Sequence, residues 1–150
     1  MVISSVQQAL SGKPMSPILL DTHAAIWATT GELRRSAMTA IDAAAERGEL
    51  LLSPISAWEI GTLVQKGRLN LVVTAESYIR ALFARPGLLT ATLTPAIAVA
   101  ATTLPGNFHG DPADRMLLAT AAAYAARLMT RDKAIHAYAK TTKHVQTVEC

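Results

Sequence analysis

The stretch Ile18-Leu19-Leu20-Asp21-Thr22 is a short apolar run that ends abruptly in an acid and a hydroxyl. Such a run, continuous rather than alternating, is the pattern of a strand buried on both faces of a parallel sheet. The pattern recurs along the chain. Four acidic residues, Asp21, Glu59, Asp114 and Asp132, each fall just past a strand-like run or in the opening turns of the helix that follows one. In an open α/β sheet those places lie at one edge, where ligands bind outside the carboxyl ends of the strands. The four acids can therefore converge. Two like charges about 4 Å apart repel by roughly 4 kcal/mol at an effective dielectric near 20. A divalent cation, Mg²⁺ or Mn²⁺ held by carboxylates and water, removes that cost. The pattern points to a metal-dependent enzyme acting on phosphate.

Working outward from Ile18, a helix through Ala24 to Trp27 is expected, then a second with Ser36 as its cap and Gly48 at its stop. Leu50 to Leu52 reads as the second strand. Ser53-Pro54 breaks it, Ser56 is expected to cap the next helix, and Glu59 then falls in that helix's first turn. Thr74 opens an amphipathic helix stopped by Pro86-Gly87. Leu88 to Leu93 forms a strand, and Pro95 starts a short helix. Asp111-Pro112 reads as an N-cap followed by proline at the first helical position, opening a buried helix to Ala126. Leu128 to Thr130 is the fourth strand, with a helix from Asp132 to Ala139, and Val145 to Val148 supplies a fifth strand. The alternation implies a mostly parallel five-stranded sheet with helices on both faces, a three-layer α/β/α domain.

Its 150 residues make one domain with a real core. Residues 1–17 have no core periodicity and read as a poorly ordered extension to a domain spanning 18–150, with Met15 as a candidate natural start. At 51% hydrophobic and 17% charged residues the composition excludes disorder, and the net charge of +3 permits a polyanionic partner. The single cysteine, Cys150, cannot form an internal bridge, which fits a reducing cytoplasm. No export signal is evident, and the uncharged stretch from Pro86 to Gly110 is too broken by proline and threonine to cross a membrane.

Four stretches carry a resemblance. They are Leu19-Leu20-Asp21-Thr22-His23, Ser53-Pro54-Ile55-Ser56-Ala57-Trp58-Glu59-Ile60, His109-Gly110-Asp111-Pro112-Ala113-Asp114-Arg115-Met116-Leu117-Leu118-Ala119-Thr120-Ala121, and Leu128-Met129-Thr130-Arg131-Asp132. Together, in this order, they resemble the PIN-domain ribonucleases, most closely the VapC toxins of bacterial toxin-antitoxin pairs. The resemblance implies a PIN-like fold with Asp21, Glu59, Asp114 and Asp132 as catalytic acids and Mg²⁺ or Mn²⁺ ligands. It also implies RNA as substrate, a 3'-hydroxyl and a 5'-phosphate as products, and a cognate antitoxin as inhibitor. A homodimer in the cytoplasm is expected. The segment before Ile18 is a departure that the family does not require.

Asp111 competes with Asp114 for the third acidic role, but capping fully explains Asp111. Thr22 and Thr130 are candidates to orient carboxylates or hold water. Arg115 is expected to pair with a carboxylate rather than to reach substrate phosphate, and Arg131 and Lys133 to hold the nucleic-acid backbone. Trp27 and Trp58 fall at helical spacing among apolar residues and read as core. The histidines have no zinc-type spacing. A haloacid-dehalogenase-type phosphatase also places an acid after its first strand, but it needs a second Asp two residues on, where this chain has His23. The remaining rival is a catalytically silent PIN-like module that only binds RNA or protein.

Overall fold

The computed structural model describes residues 16–150. The expected extension, up to residue 15, and the candidate start at Met15 lie outside them. The strands are β1 (Ile18–Leu20), β2 (Leu50–Leu52), β3 (Leu88–Thr90), β4 (Arg127–Thr130) and β5 (Gln146–Glu149). The helices are α1 (Thr22–Thr30), α2 (Arg35–Glu46), α3 (Pro54–Gln65), α4 (Ala75–Phe83), α5 (Pro95–Ala100), α6 (Pro112–Ala123) and α7 (Lys133–Thr142). The strands pair in the order β3-β2-β1-β4-β5, and every pairing is parallel.

That order explains the apolar runs. β1 and β2 are central and buried at every position, so neither face tolerates a polar residue. β5 lies at an edge and is correspondingly polar and partly exposed. Successive strand residues point to opposite faces. Ile18, Leu20, Leu50, Leu52 and Met129 accordingly join Ala24, Ala25, Ile41 and Ala44 in one buried layer. Leu19, Leu51 and Leu128 join Leu117, Leu118 and Ile135 in the other. The result is the three-layer α/β/α architecture. On the first face, Gly87 follows α4 with φ +81°, and a Cβ there would stand 2.6 Å from the Ala45 carbonyl oxygen. Its lack of a side chain permits the close approach of β3 to α2.

The direction of chain travel reverses once. From β1 the chain steps outward to β2 and β3, then returns across the sheet to place β4 on the other side of β1. The gap beyond the carboxyl ends of β1 and β4 is therefore the topological switch point, where open α/β sheets bind ligands.

Several local expectations are corrected. Ser53, not Ser56, caps α3; its hydroxyl accepts from the Ile55 amide and Pro54 occupies the first turn. Glu59 consequently lies in the second turn, and Ser56 is inside the helix and fully buried. Ser36 is not a cap either, since α2 starts at Arg35 with Arg34 before it. Trp58 is not core: it is 63% exposed. It is two residues from both Ser56 and Ile60, about 200° around the helix from the buried positions. Trp27 is partly buried against the core. Strand β3 stops at Thr90 rather than Leu93, and α6 at Ala123 rather than Ala126.

Replacing Ser53 with Ala should destabilise the fold by about 0.5–2 kcal/mol, the range for a lost N-cap. Ser36→Ala should stay within about 0.5 kcal/mol, as surface changes away from special features do. Urea denaturation of both variants measures the difference; equal effects would show that the caps are wrongly placed.

Candidate active site

Each of the four acids reaches the carboxyl edge by a different local device. Asp21 follows β1 and stands at the cap position of α1, yet its side chain makes no capping bond to the helix. Its carboxylate instead accepts from the Thr130 hydroxyl at 2.6 Å, a bond that crosses from β1 to β4. Glu59 projects from α3, and its Oε1 accepts from the Thr22 hydroxyl at 2.5 Å. Thr22 and Ser56 share a further hydrogen bond of 2.8 Å, both fully or nearly fully buried. Asp114 is in the first turn of α6, half-buried. Asp132 is exposed and caps α7 by accepting from the Ile135 amide at 3.0 Å, so one of its oxygens is already used.

The electrostatics show these groups acting on one another. Asp114 is pushed up to about 7, first by burial and then by the charges of Asp111, Asp21, Asp132 and Glu59. Burial raises Glu59 too, with the Thr22 hydroxyl opposing and Asp21 and Asp111 adding to the rise. Asp21 is raised by burial against the lowering influence of Thr130. Asp114 thus sits where the fields of four other carboxylates meet. Asp111 is the cap that the Asp-Pro pair suggests, accepting from the Asp114 amide at 2.9 Å. It is also a charge neighbour of Asp114 and Glu59, a role its capping geometry does not remove.

The two threonines occupy the positions expected of orienting groups. Thr130 is the better connected: its hydroxyl donates to Asp21 and accepts from the Asp132 amide at 3.0 Å. Its carbonyl is held by the His136 ring at 2.8 Å, and that ring also meets Thr147 and Glu149 on β5. Ser56 and His136 are contributors that the sequence does not announce as site residues. Ser56 was findable, because Pro54 at the first helical position makes Ser53 the cap and puts Ser56 three residues before Glu59, on the same helix face. His136 carries no comparable signal; only the docking of α7 beside β5 brings it to Thr130.

Three basic residues behave differently from one another. Arg115 does not pair with a carboxylate. Its guanidinium donates to the carbonyls of Ala101 (2.8 Å), Thr102 (3.3 Å) and Phe108, tying down the loop before α6. Arg131 is not free to grip a nucleic acid, because it donates to backbone oxygens of Cys150 and Glu32, each at 2.8 Å, and lies 4.1 Å over the Trp27 ring. Both arginines bind backbone because their planar, multi-donor groups satisfy several carbonyls at once. Lys133 is exposed beside Asp132.

The donor set is entirely carboxylate oxygen, which suits a hard divalent cation. Among the described residues no three His, Cys, Asp or Glu side chains are gathered tightly enough to chelate an ion directly. A hard cation that keeps most of its own water needs only one or two carboxylates, and Asp21 and Glu59 are the two whose oxygens are held by hydroxyls. The site therefore passes the test of donor chemistry.

Comparison with known proteins bears on this arrangement. The PIN domain family profile matches residues 18–141. Ribonuclease VapC22 of Mycobacterium tuberculosis (strain ATCC 25618 / H37Rv) is 35% identical over 124 residues, covering 83% of this chain and 93% of that protein. Among solved structures, VapBC2 from Rickettsia felis bound to a promoter DNA fragment gives a TM-score of 0.65 at 17% identity, covering 88% of this chain and 97% of that one. A toxin-antitoxin complex from Klebsiella pneumoniae gives 0.57 at 20% identity, covering 89% and 99%. The two structures speak to the fold and the sequence relative to the family. The chain belongs to the PIN-domain family and, within it, to the VapC ribonucleases.

Proposed function

We propose that this chain is an endoribonuclease that hydrolyses RNA phosphodiesters at the carboxyl edge of its sheet, with Mg²⁺ or Mn²⁺, as the toxin of a toxin-antitoxin pair. The observation that carries the reading is geometric: at the switch point Thr130 holds the Asp21 carboxylate and Thr22 holds that of Glu59, with Asp114 half-buried at the start of α6. Helix capping accounts for Asp111 and Asp132, but Asp21, Glu59 and Asp114 cap nothing, and their mutual repulsion only weakens the fold. A divalent cation supplies the compensating charge and the Lewis acidity that phosphodiester hydrolysis requires.

The chain's own residues divide the remaining work. Asp21 and Glu59 are oriented by Thr130 and Thr22, so their oxygens are fixed before a cation arrives. Asp114, raised to about 7, would have to be deprotonated to hold a cation, so cation affinity would rise with pH. Asp132, with one oxygen committed to α7, contributes charge and an outer contact. Lys133 stands beside them, available to a phosphate. A module that only binds RNA or protein would need neither the raised Asp114 nor the two hydroxyl-held carboxylates, and nothing in the site favours that rival.

The partner reading rests on exposed apolar side chains. Trp58 on α3, and Val72 and Val73 in the loop after it, are all exposed, and Trp58 is the direct neighbour of Glu59. An antitoxin covering Trp58 would also lie against the acids, where a basic side chain would be attracted in the absence of water. A homodimer and a cytoplasmic location belong to the same reading; among the described residues no helix is long and apolar enough to cross a membrane.

Purified protein should cleave RNA only when Mg²⁺ or Mn²⁺ is added, and Asp21→Asn or Asp114→Asn should abolish cleavage while leaving thermal stability equal or higher. Gel analysis of RNA with and without EDTA checks this. Undiminished cleavage in EDTA, or by either variant, would overturn the metal-dependent mechanism.

A second expectation follows from proton linkage. The folded-state pKa of Asp114, about 7, lies above its ordinary 3.8. The folded state therefore holds this proton more tightly, and stability from the group, complete below its unfolded pKa, is lost as pH rises through about 7. Without divalent ions the melting temperature should fall from about pH 4 to about pH 7 and level off above that. Asp114→Asn should flatten that slope, and Mg²⁺ should raise the wild-type melting temperature more at the upper pH. A wild-type slope that Asp114→Asn leaves unchanged would refute the assignment.

Expression of the chain alone should arrest growth, and co-expression with a small antitoxin encoded beside it should restore growth and copurify with the chain. Growth unaffected by the wild-type chain, in a host lacking that neighbour, would end the toxin reading while leaving the nuclease reading testable by the RNA assay.

A further inference from the structure

The edge of the sheet opposite the acids has its own cluster of polar groups. There the starts of β4 and β5 meet the ends of α6 and α7, and a cleft of about 340 Å³ is lined by Arg127, Lys143 and His144 among small residues. A second cleft of about 550 Å³ adjoins it, sharing Lys143, Val145 and Gln146 and adding Lys140 and His136. No Asp or Glu lines either cleft. This differs from the neighbouring part of the same edge, where Arg47 is neutralised by Glu49 at 3.1 Å.

Two independent features suggest that something negative is meant to enter. The Nε of Arg127 is buried without a hydrogen-bond partner, the one such side-chain atom among the described residues. Buried donors are nearly always satisfied, so the local partners of this guanidinium are incomplete, and Arg127, partly exposed along the cleft, carries the planar fork that a phosphate fits. Lys143, for its part, occupies the left-handed position that ends α7, with φ 55°. That conformation, which Ala125 on the same cleft shares, turns the chain so that Lys143 lines both clefts. Lys143 and His144 are both exposed at the mouth of the cleft.

We propose that this basic cleft, formed by Arg127, Lys143 and His144, binds backbone phosphates of the RNA substrate at a point remote from the scissile bond. The inference rests on the ribonuclease reading above and adds to it a substrate class: RNA long or folded enough to reach both edges of the sheet. A four-residue strand such as β4 spans about 13 Å at roughly 3.3 Å per residue, so one phosphodiester cannot touch the acids and the cleft together. A folded RNA running past β4 and β5 can. Such a contact positions the substrate without reading its sequence. It also adds cationic attraction to the little that Lys133 offers at the acidic edge.

The competing explanation is that Arg127 and Lys143 only offset the negative ends of α6 and α7, which finish at this edge. The variants Arg127→Gln and Lys143→Asn/His144→Gln separate the two. The double variant changes exposed positions only, and Asn accepts the left-handed conformation, so it keeps the test sound if Arg127→Gln fails to fold. Cleavage is measured on a folded RNA and on a short single-stranded oligonucleotide carrying the cleavage sequence mapped in that RNA. The expected result is a several-fold rise in KM for the folded RNA with kcat unchanged, and no change for the oligonucleotide. The dependence of log(kcat/KM) on log salt should also become shallower for the folded RNA, by roughly 0.7–0.9 for each phosphate the variant no longer neutralises. Unchanged KM and salt dependence for the folded RNA, with a lowered melting temperature, would overturn the proposal and leave the helix-end role. Failure of the wild-type chain to cut either RNA would instead remove the nuclease reading, and this inference with it.

Discussion

Repulsion among carboxylates at the switch point of the sheet is the constraint to which the rest of the molecule answers. Left alone, Asp21, Glu59, Asp111, Asp114 and Asp132 would move apart or take up protons, and Asp114 goes part of that way by rising to about 7. The fold holds them together by rigid means. The strands that carry Asp21 and Asp132 are central and flanked on both faces by packed apolar layers, so neither end can drift. The local hydrogen bonds then fix direction as well as place: Thr130 to Asp21, Thr22 to Glu59, the Ile135 amide to Asp132.

The basic residues near the site show how the scaffold resists this strain. Arg131 follows Thr130 directly, and it ties the end of β4 to Glu32 after α1 and to Cys150 after β5 while resting on Trp27. Arg115 follows Asp114 directly and gathers three carbonyls of the preceding loop. In both cases a cation next to an acid of the cluster serves the backbone rather than the acid. The acids consequently keep their unbalanced charge, which is what a divalent cation needs in order to bind.

The parallel sheet and the edge that gathers the acids were legible because they depend on the simplest patterns. Runs such as Leu50-Leu51-Leu52 need burial on both faces, and an acid immediately after a strand has only one edge to occupy. What escaped depended on single residues of register or on distant docking. Reading Ser56 rather than Ser53 as the cap moved Glu59 by most of a turn and hid the Thr22-Ser56 bond. Arg115 and Arg131 looked like site residues because backbone carbonyls have no sequence signature; only the path of the loops shows that oxygens wait there. Trp58 looked like core by composition and faces outward by angle.

The bond between Thr130 and Asp21 joins residues 109 positions apart in the chain. Contacts of such long sequence separation form late, because the loop between them must close before they gain anything. During synthesis, the first strand and its aspartate leave the ribosome long before the fourth strand exists to sit beside them. A nascent or prematurely terminated chain that stops short of Thr130 therefore lacks both the partner that aims Asp21 and the fourth acid. The interleaved order of the strands thus means that the acids at the switch point come together only once nearly the whole domain has emerged.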